Sequence, residues 1–298
     1  MKSATRNDPH PATLEEALGW AVERLRSGGM PDARAEALAI WSAVTKADPT
    51  EALSASREPI ATRGWEPFQG AVERRSSGEP LAYATGTAGF RTLDLAVDRS
   101  VLIPRPETEG LVQSVLDWAS THARHGIVAD IGTGSGCVAL SLAVEGPFTR
   151  VIATDASSTA LAVAAQNLAA VMPGTTVDLR LGKFFEPLSE TTLDAIVANP
   201  PYVTEVEYEE LDAGVRQYEP RDALVSRENG MWHIHRILEG AMEHLTLGGL
   251  LAIEVDARRA DLAVDLAVRF GWSARIEKDV FDRPRYLLAT SGRAGTSR

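Results

Sequence analysis

The sequence predicts an α/β protein: a small all-α segment first, then a mostly parallel sheet with helices on both faces and an antiparallel hairpin at its C-terminal edge. Three observations carry this. Residues 12 to about 77 place apolar side chains at helical spacing, with no alternating run among them. From Gly126 onward, short β-branched runs alternate with helical segments, the pattern that builds a parallel sheet. The last two β runs are joined by only a short turn, Asp282 to Pro284, too tight for a parallel crossover.

In chain order, Thr13 caps a helix with Leu14, Ala17, Leu18, Ala21 and Leu25 along one stripe, ended by Gly28-Gly29. Pro31-Asp32 opens a second helix, with Ala35, Leu38, Ala39 and Trp41 to Val44 on one side. Further helical stretches follow Pro49 and Arg63. Residues 87 to 97 alternate around a glycine and read as a β-hairpin. A proline-bracketed stretch, Ile103 to Glu109, leads into a helix through about Ala119. Strands follow at 127–131, 151–154, 176–181, 193–198 and 250–255, and helices at 136–145, 158–170, 230–246 and 257–270. The final β runs are 274–280 and 286–289, and the tail from Ser291 is read as frayed. The expected domains are a helical substrate-recognition domain at 1–80, a hairpin linker at 81–100 and a catalytic domain at 101–298.

Composition narrows the function classes. A net charge of −11 argues against a protein that grips nucleic acid through its phosphates. The single cysteine, Cys137, allows no intrachain disulfide, which points to a reducing compartment. The N-terminus has no signal-type apolar core, and no run approaches a bilayer span. A soluble, cytoplasmic protein is expected.

Asp130-Ile131-Gly132-Thr133-Gly134-Ser135-Gly136 is a strand running into a glycine-rich turn and a helix. Glycine lets backbone approach a ligand and adopt positive φ. The G-x-G-x-G spacing differs from the dinucleotide G-x-G-x-x-G, and no P-loop lysine follows. A second strand ends at Asp155, 23 residues after Gly132, where a carboxylate can accept from both hydroxyls of a ribose. A plain turn and a helix-capping aspartate remain open for each feature alone, and NAD enzymes share the pairing.

Asn199-Pro200-Pro201-Tyr202 follows the strand 193–198 and separates these readings. Consecutive prolines hold the backbone extended and bring no N–H donors, so carbonyls face outward as acceptors. The Asn199 oxygen and the Pro200 carbonyl can each accept one N–H of a planar NH2 group, while Tyr202 stacks on its flat face. Positioning of this kind supplies methyl transfer with most of what it needs, since oriented reactants gain about 7–11 kcal/mol. No general base is required, because the nitrogen becomes acidic only once methylated.

These residues resemble the class I S-adenosylmethionine methyltransferases, with their Rossmann-like sheet. More narrowly, they resemble the HemK-type protein-glutamine methyltransferases that modify peptide-chain release factors. The narrow resemblance rests on Leu102 to Glu109 (L-I-P-R-P-E-T-E), on Glu219-Pro220 with Ala223-Leu224, and on the helical N-terminal region. It implies that the loop Gly132, Thr133, Gly134, Ser135 and Gly136, bordered by Asp130 and Asn199, holds the methionine portion of S-adenosylmethionine. It places Asp155 at the ribose and Phe184 at the adenine. It implies that Asn199, Pro200, Pro201 and Tyr202 bind a glutamine from a Gly-Gly-Gln loop, with Asn199, Pro200 and Tyr202 catalytic. The products are N-methylglutamine and S-adenosylhomocysteine, no metal takes part, and the helical domain contacts the release factor. Lys183, Asp256, Arg259 and Asp282 depart from the family pattern.

Other features have plainer explanations. His233 and His235 lie two apart on a helix and face different sides, against metal ligation. Cys137 reads as small-residue packing, although a helix start can depress a thiol pKa. Arg105 and Glu107 either pair with each other or border the cofactor. Glu205, Glu207, Glu209, Glu210 and Asp212 read as a solvated loop or as a flap for a basic partner. The alternatives weighed are glutamine methylation on a ribosomal protein and exocyclic amine methylation of a base. A dehydrogenase and a non-catalytic nucleoside-binding module complete the set. With 10 basic and 12 acidic side chains, the first 80 residues offer no basic groove for nucleic acid.

Overall fold

In the computed structural model, which describes residues 10–48, 50, 62–122, 125–172, 177–188 and 191–291, the chain divides into two units, Met1–Thr87 and Ala88–Arg298.

The first unit contains helices α1 (Leu14–Ser27), α2 (Ala33–Thr45), α3 (Thr62–Ser76) and α4 (Leu81–Thr85). Thr13 caps α1 by accepting from the Glu16 N–H, and Gly28 closes it, where any side chain would strike the Ser76 backbone. The core joins Leu14, Ala17, Ala21 and Leu25 to Ile40, Trp41, Trp65 and Phe68. Helix α2 corrects the expected face: it buries Ala33, Ala37, Ile40 and Trp41, whereas Ala35 and Ala39 are exposed. Alanine is nearly indifferent to burial, so the two large side chains set the rotation of the helix. The helical stretch expected after Pro49 and the tail beyond Ser291 lie outside the described residues, whereas Ser291, expected to fray, pairs with Trp272 as a strand residue.

The hairpin β1 (Thr87–Phe90) and β2 (Leu93–Ala96) begins at the boundary residue Thr87, and α5 (Pro106–Thr121) follows in the second unit. Strand and helix then alternate: β3 (Ile127–Ile131), α6 (Cys137–Glu145), β4 (Arg150–Asp155), α7 (Ser158–Val171), β5 (Val177–Leu181) and β6 (Leu193–Ala198). After β6 come α8 (Glu205–Glu210), α9 (Ala213–Tyr218), α10 (Trp232–Ala241), β7 (Leu245–Glu254), α11 (Ala260–Arg269), β8 (Trp272–Lys278) and β9 (Pro284–Ser291). The sheet order is β5-β4-β3-β6-β7-β9-β8, parallel except where β9 pairs antiparallel with β7 and β8.

Alternate strand residues feed two core layers. Val128, Val151, Val197 and Leu250 face α5 and α6, while Ala129, Ile152, Ile196 and Leu251 face α10 and α11. Because both faces are covered, the central strands read as continuous apolar runs rather than alternating ones.

Two expectations need correction. Helix α10 ends at Ala241 rather than 246, because Leu245 already pairs with Leu193 as a strand residue. The segment after Tyr202 is two short helices instead of a loop: Thr204 and Glu207 form a reciprocal capping box that starts α8. Among the described residues, no helix is long and apolar enough to cross a membrane.

Candidate active site

Strand register assembles the site. Ile131 pairs with Thr154 on one side and Ala198 on the other, and Ala198 pairs with Ile253. The next residue of each strand therefore lies on one edge, in the order Asp155, Gly132, Asn199, Glu254. Neighbouring strands are about 4.8 Å apart, so Asp155 and Asn199 are separated by about 10 Å. The strand order reverses between β3 and β6, and open α/β sheets bind ligands outside such a switch point.

The glycine loop is held mainly by backbone. The N–H groups of Gly132 and Thr133 both donate to the Thr154 carbonyl at 2.9 Å. Gly134 N–H donates to Asp155 Oδ2 at 2.9 Å, and Ser157 N–H donates to the other carboxylate oxygen at 2.8 Å. Gly132, Gly134 and Gly136 have φ of 77°, 56° and 84°. A Cβ at Gly132 or Gly134 would meet nothing within 4 Å, so the loop presents bare backbone to open space. At Gly136 it would press on Leu140 and Ala164, so that glycine serves packing.

Beneath the loop, Asp130 is 2% exposed and accepts from the Thr133 hydroxyl at 2.7 Å and the Ala139 N–H at 3.2 Å. Burial pushes its carboxyl up to about 7, against those two hydrogen bonds. Thr133 and Ser135 are buried as well. Buried Asn167 donates to the carbonyls of Ser135 and Ala96, tying the loop to β2. Burial pushes Cys137 up to about 12, the reverse of activation.

Phe184 follows β5 with φ of 49°, and its ring lies 5.5 Å from Trp232 and 6.0 Å from His233. His233 Nδ1 bonds the Ser226 hydroxyl, whereas His235 faces Glu228 and Phe270; the two histidines point apart.

On the other half of the edge, side chains hold side chains. Asn199 Nδ2 donates to Thr108 Oγ1 at 3.0 Å. The Tyr202 hydroxyl lies 3.5 Å from Glu254 Oε1. Burial and the neighbouring Glu254 raise the Tyr202 pKa, and burial raises that of Glu254. Pro200 is buried, and Asn199, Pro201 and Tyr202 are half-buried.

Arg105 and Glu107 do not pair with each other. Arg105 donates to Glu219 at 2.5 Å, and Glu107 accepts from Arg283 at 3.1 Å. The acidic segment is pinned too, because buried Arg259 donates to both carboxylate oxygens of Glu207. Among the departures, Asp256 caps the turn before α11, and Asp282 has φ of 62°, the conformation that a glycine adopts freely. Lys183 is exposed.

The register thus brings Asp155, Gly132 and Asn199 to one edge, with Asp130 beneath the glycine loop and Phe184 after β5. The sequence reading missed the groups that hold them: Thr108, Glu254 and Asn167. Thr108 lies in the L-I-P-R-P-E-T-E motif, but nothing local links it to Asn199, 91 positions away.

A model described as the PrmC N-terminal domain matches residues 16–86, and one described as the methyltransferase small domain matches 110–215. A release factor glutamine methyltransferase of Moorella thermoacetica is 39% identical over 279 residues, covering 93% of this chain and 98% of that protein. One from Geobacter sulfurreducens is 36% identical over 264 residues, covering 89% and 91%. A crystal structure of a methyltransferase from Pyrococcus furiosus superposes with a TM-score of 0.50 at 21% identity, covering 67% of this chain and 89% of that one; it supports the fold.

Proposed function

The chain belongs to the family of release factor glutamine methyltransferases, and from that premise we propose how its residues act. It methylates the side-chain amide nitrogen of the glutamine in the Gly-Gly-Gln motif of a peptide-chain release factor. S-adenosylmethionine, when bound, supplies an electrophilic methyl group on a sulfonium and leaves as S-adenosylhomocysteine. The open faces of Gly132 and Gly134 fit such a ligand, since a Cβ at either would stand in the space the ligand needs. Asp155 serves the ribose and Phe184 the adenine.

Asn199 Oδ1 and the Pro200 carbonyl each accept one N–H of the substrate amide. With both donors occupied, the NH2 plane is fixed and the nitrogen can turn pyramidal only toward the cofactor side. The Tyr202 ring covers the flat face of the amide. Once the nitrogen carries its methyl it is strongly acidic and passes its proton to solvent water, so no residue is assigned as base. The helical unit contacts the release factor.

One observation carries this reading. The Asn199 carboxamide stands just past the end of the strand beside the glycine loop, with its nitrogen tied inward to Thr108 and its oxygen therefore on the other side.

Its test combines the full chain, methyl-labelled S-adenosylmethionine and a purified release factor, with mass spectrometry of the Gly-Gly-Gln peptide. The wild type labels the glutamine. Asn199→Ala labels it about 100-fold more slowly or worse, because a misplaced acceptor forfeits orientation. Its calorimetric affinity for S-adenosylhomocysteine stays within about twofold, since uniform binding is untouched. Equal labelling by wild type and variant, or label on a different residue, overturns the reading.

A further inference from the structure

We propose that Thr108 is a positioning residue for methyl transfer: its buried hydroxyl fixes the Asn199 carboxamide so that Oδ1 faces the acceptor nitrogen. This rests on the function proposed above for Asn199 and goes beyond it to the group that orients it.

A carboxamide can turn over and exchange its oxygen for its nitrogen, and the two faces have opposite hydrogen-bonding character. With Nδ2 outward, Asn199 would present donors to a substrate NH2 that also brings donors, and the acceptor would be lost. Something must break the symmetry. Thr108 is 2% exposed and its Oγ1 accepts from Asn199 Nδ2 at 3.0 Å.

A hydroxyl alone would tolerate either face, because it can accept from nitrogen or donate to oxygen. Glu254 removes the ambiguity. It is 1% exposed, the nearby Thr108 hydroxyl stabilises its charge, and its buried Oε2 has no hydrogen-bond partner among the described residues. Ionised or protonated, a carboxyl keeps a bare oxygen able to accept. With its proton turned toward that unpartnered acceptor, Thr108 keeps only a lone pair for Asn199, and a lone pair matches only the nitrogen.

The hydroxyl is itself held in place. Thr108 N–H donates to the Arg105 carbonyl at 3.0 Å in the first turn of α5. Tyr286 Oη donates to the Glu107 carbonyl at 2.6 Å, and a Cβ at Gly110 would fall 2.2 Å from that oxygen. Arg283 holds the Glu107 carboxylate. The turn is clamped from the β9 side, so Thr108 cannot follow a flipped carboxamide. The P-E-T-E segment is thereby given a role in the reaction without touching the substrate.

The test uses Thr108→Val, which keeps the shape and removes the hydroxyl, and Thr108→Ser, which keeps the hydroxyl. Single-turnover methylation of a purified release factor is followed beside calorimetry with S-adenosylhomocysteine. Thr108→Val is expected to slow transfer by about 10- to 100-fold, the cost of an unmatched buried donor. Its cofactor affinity stays within about twofold, and Thr108→Ser recovers the rate to within about threefold. The double variant Thr108→Val/Asn199→Ala is no slower than Asn199→Ala alone, because both changes remove one function.

Full activity of Thr108→Val, failure of Thr108→Ser, a parallel loss of cofactor affinity, or multiplying effects in the double variant each overturn the proposal. Should Thr108→Val not fold, Thr108→Ala against Thr108→Ser isolates the hydroxyl by the same measurements. A fully active Asn199→Ala would instead sink the function proposed for Asn199, whatever Thr108 does.

Discussion

The two halves of the sheet edge are built by different means. On the β3–β4 side, the surface offered to a ligand is backbone, and largely backbone holds it: Gly132 and Thr133 hang from one carbonyl of the next strand. On the β6–β7 side, the surface is side chain, held by side chains from far away: Asn199 by Thr108 and Tyr202 by Glu254. Backbone geometry is set largely by local sequence, so the first half is most sensitive at its glycines and at the few side chains that tie it down, Asp130, Asp155 and Asn167. The second half depends on groups 91 and 52 positions distant, so it can lose function through residues that never meet the substrate.

The sharpest way to break this contrast is Gly134→Ala. A methyl there meets no protein atom, and φ of 56° is a conformation that alanine adopts at about 1–2 kcal/mol. If the loop were only a turn, the variant would fold with a modest loss of stability and nothing else would change. As a cradle for ligand, it should lose about 100-fold in S-adenosylhomocysteine affinity while its far-ultraviolet circular dichroism stays native. Unchanged affinity would remove the distinction between the halves.

The same contrast explains what was legible in the sequence. G-x-G-x-G, Asp155 and N-P-P-Y could be read because each is contiguous and each ends a strand whose apolar run is unmistakable. Strand register then placed them side by side without further information. The supporting groups could not be read. Glu254 is one carboxylate among 41 acidic residues, and only the pairing of Ala198 with Ile253 puts it beside Asn199. Asn167 sits on a helix whose sequence gives no sign that its amide reaches β2 and the loop. The capping box Thr204–Glu207 was present as a motif, yet a run of acidic residues disguised a short helix as a loop. In α2, alanines blurred the periodicity, and two bulky residues decided the face.

The buried carboxyl under the loop gives a second, smaller test. Asp130 has its pKa raised to about 7, well above the ordinary 3.8 of an aspartate, with burial the largest cause. A raised folded-state pKa means that the folded protein binds the proton more tightly than the unfolded chain. Its favourable contribution is complete below about pH 4 and fades as pH rises to about 7. Asp130→Asn is neutral throughout and still accepts from Thr133 and Ala139. Between pH 5 and 8 the wild type should therefore lose about 2–3 kcal/mol relative to the variant. Urea denaturation of both proteins across that range measures it. A stability difference that stays constant with pH would mean that the loop rests on an aspartate that is charged throughout.

The smallest expected effect lies on the side-chain half and separates the two ends of Tyr202. Its ring is assigned to the substrate amide, while its hydroxyl reaches Glu254 only at 3.5 Å, the outer limit of a hydrogen bond. Tyr202→Phe removes the hydroxyl and leaves Glu254 Oε1 without that donor, which favours the protonated form of a carboxyl already pushed up by burial. A protonated Glu254 keeps an oxygen able to accept from Thr108, so the proposed orientation of Asn199 survives. Transfer by Tyr202→Phe should stay within about threefold of wild type, whereas Tyr202→Ala, which strips the stacking face, should fall by about tenfold. If the phenylalanine and alanine variants proved equally slow, the hydroxyl rather than the ring would be the working end of Tyr202. Glu254 would then act on the substrate side through Tyr202 as well as through Thr108.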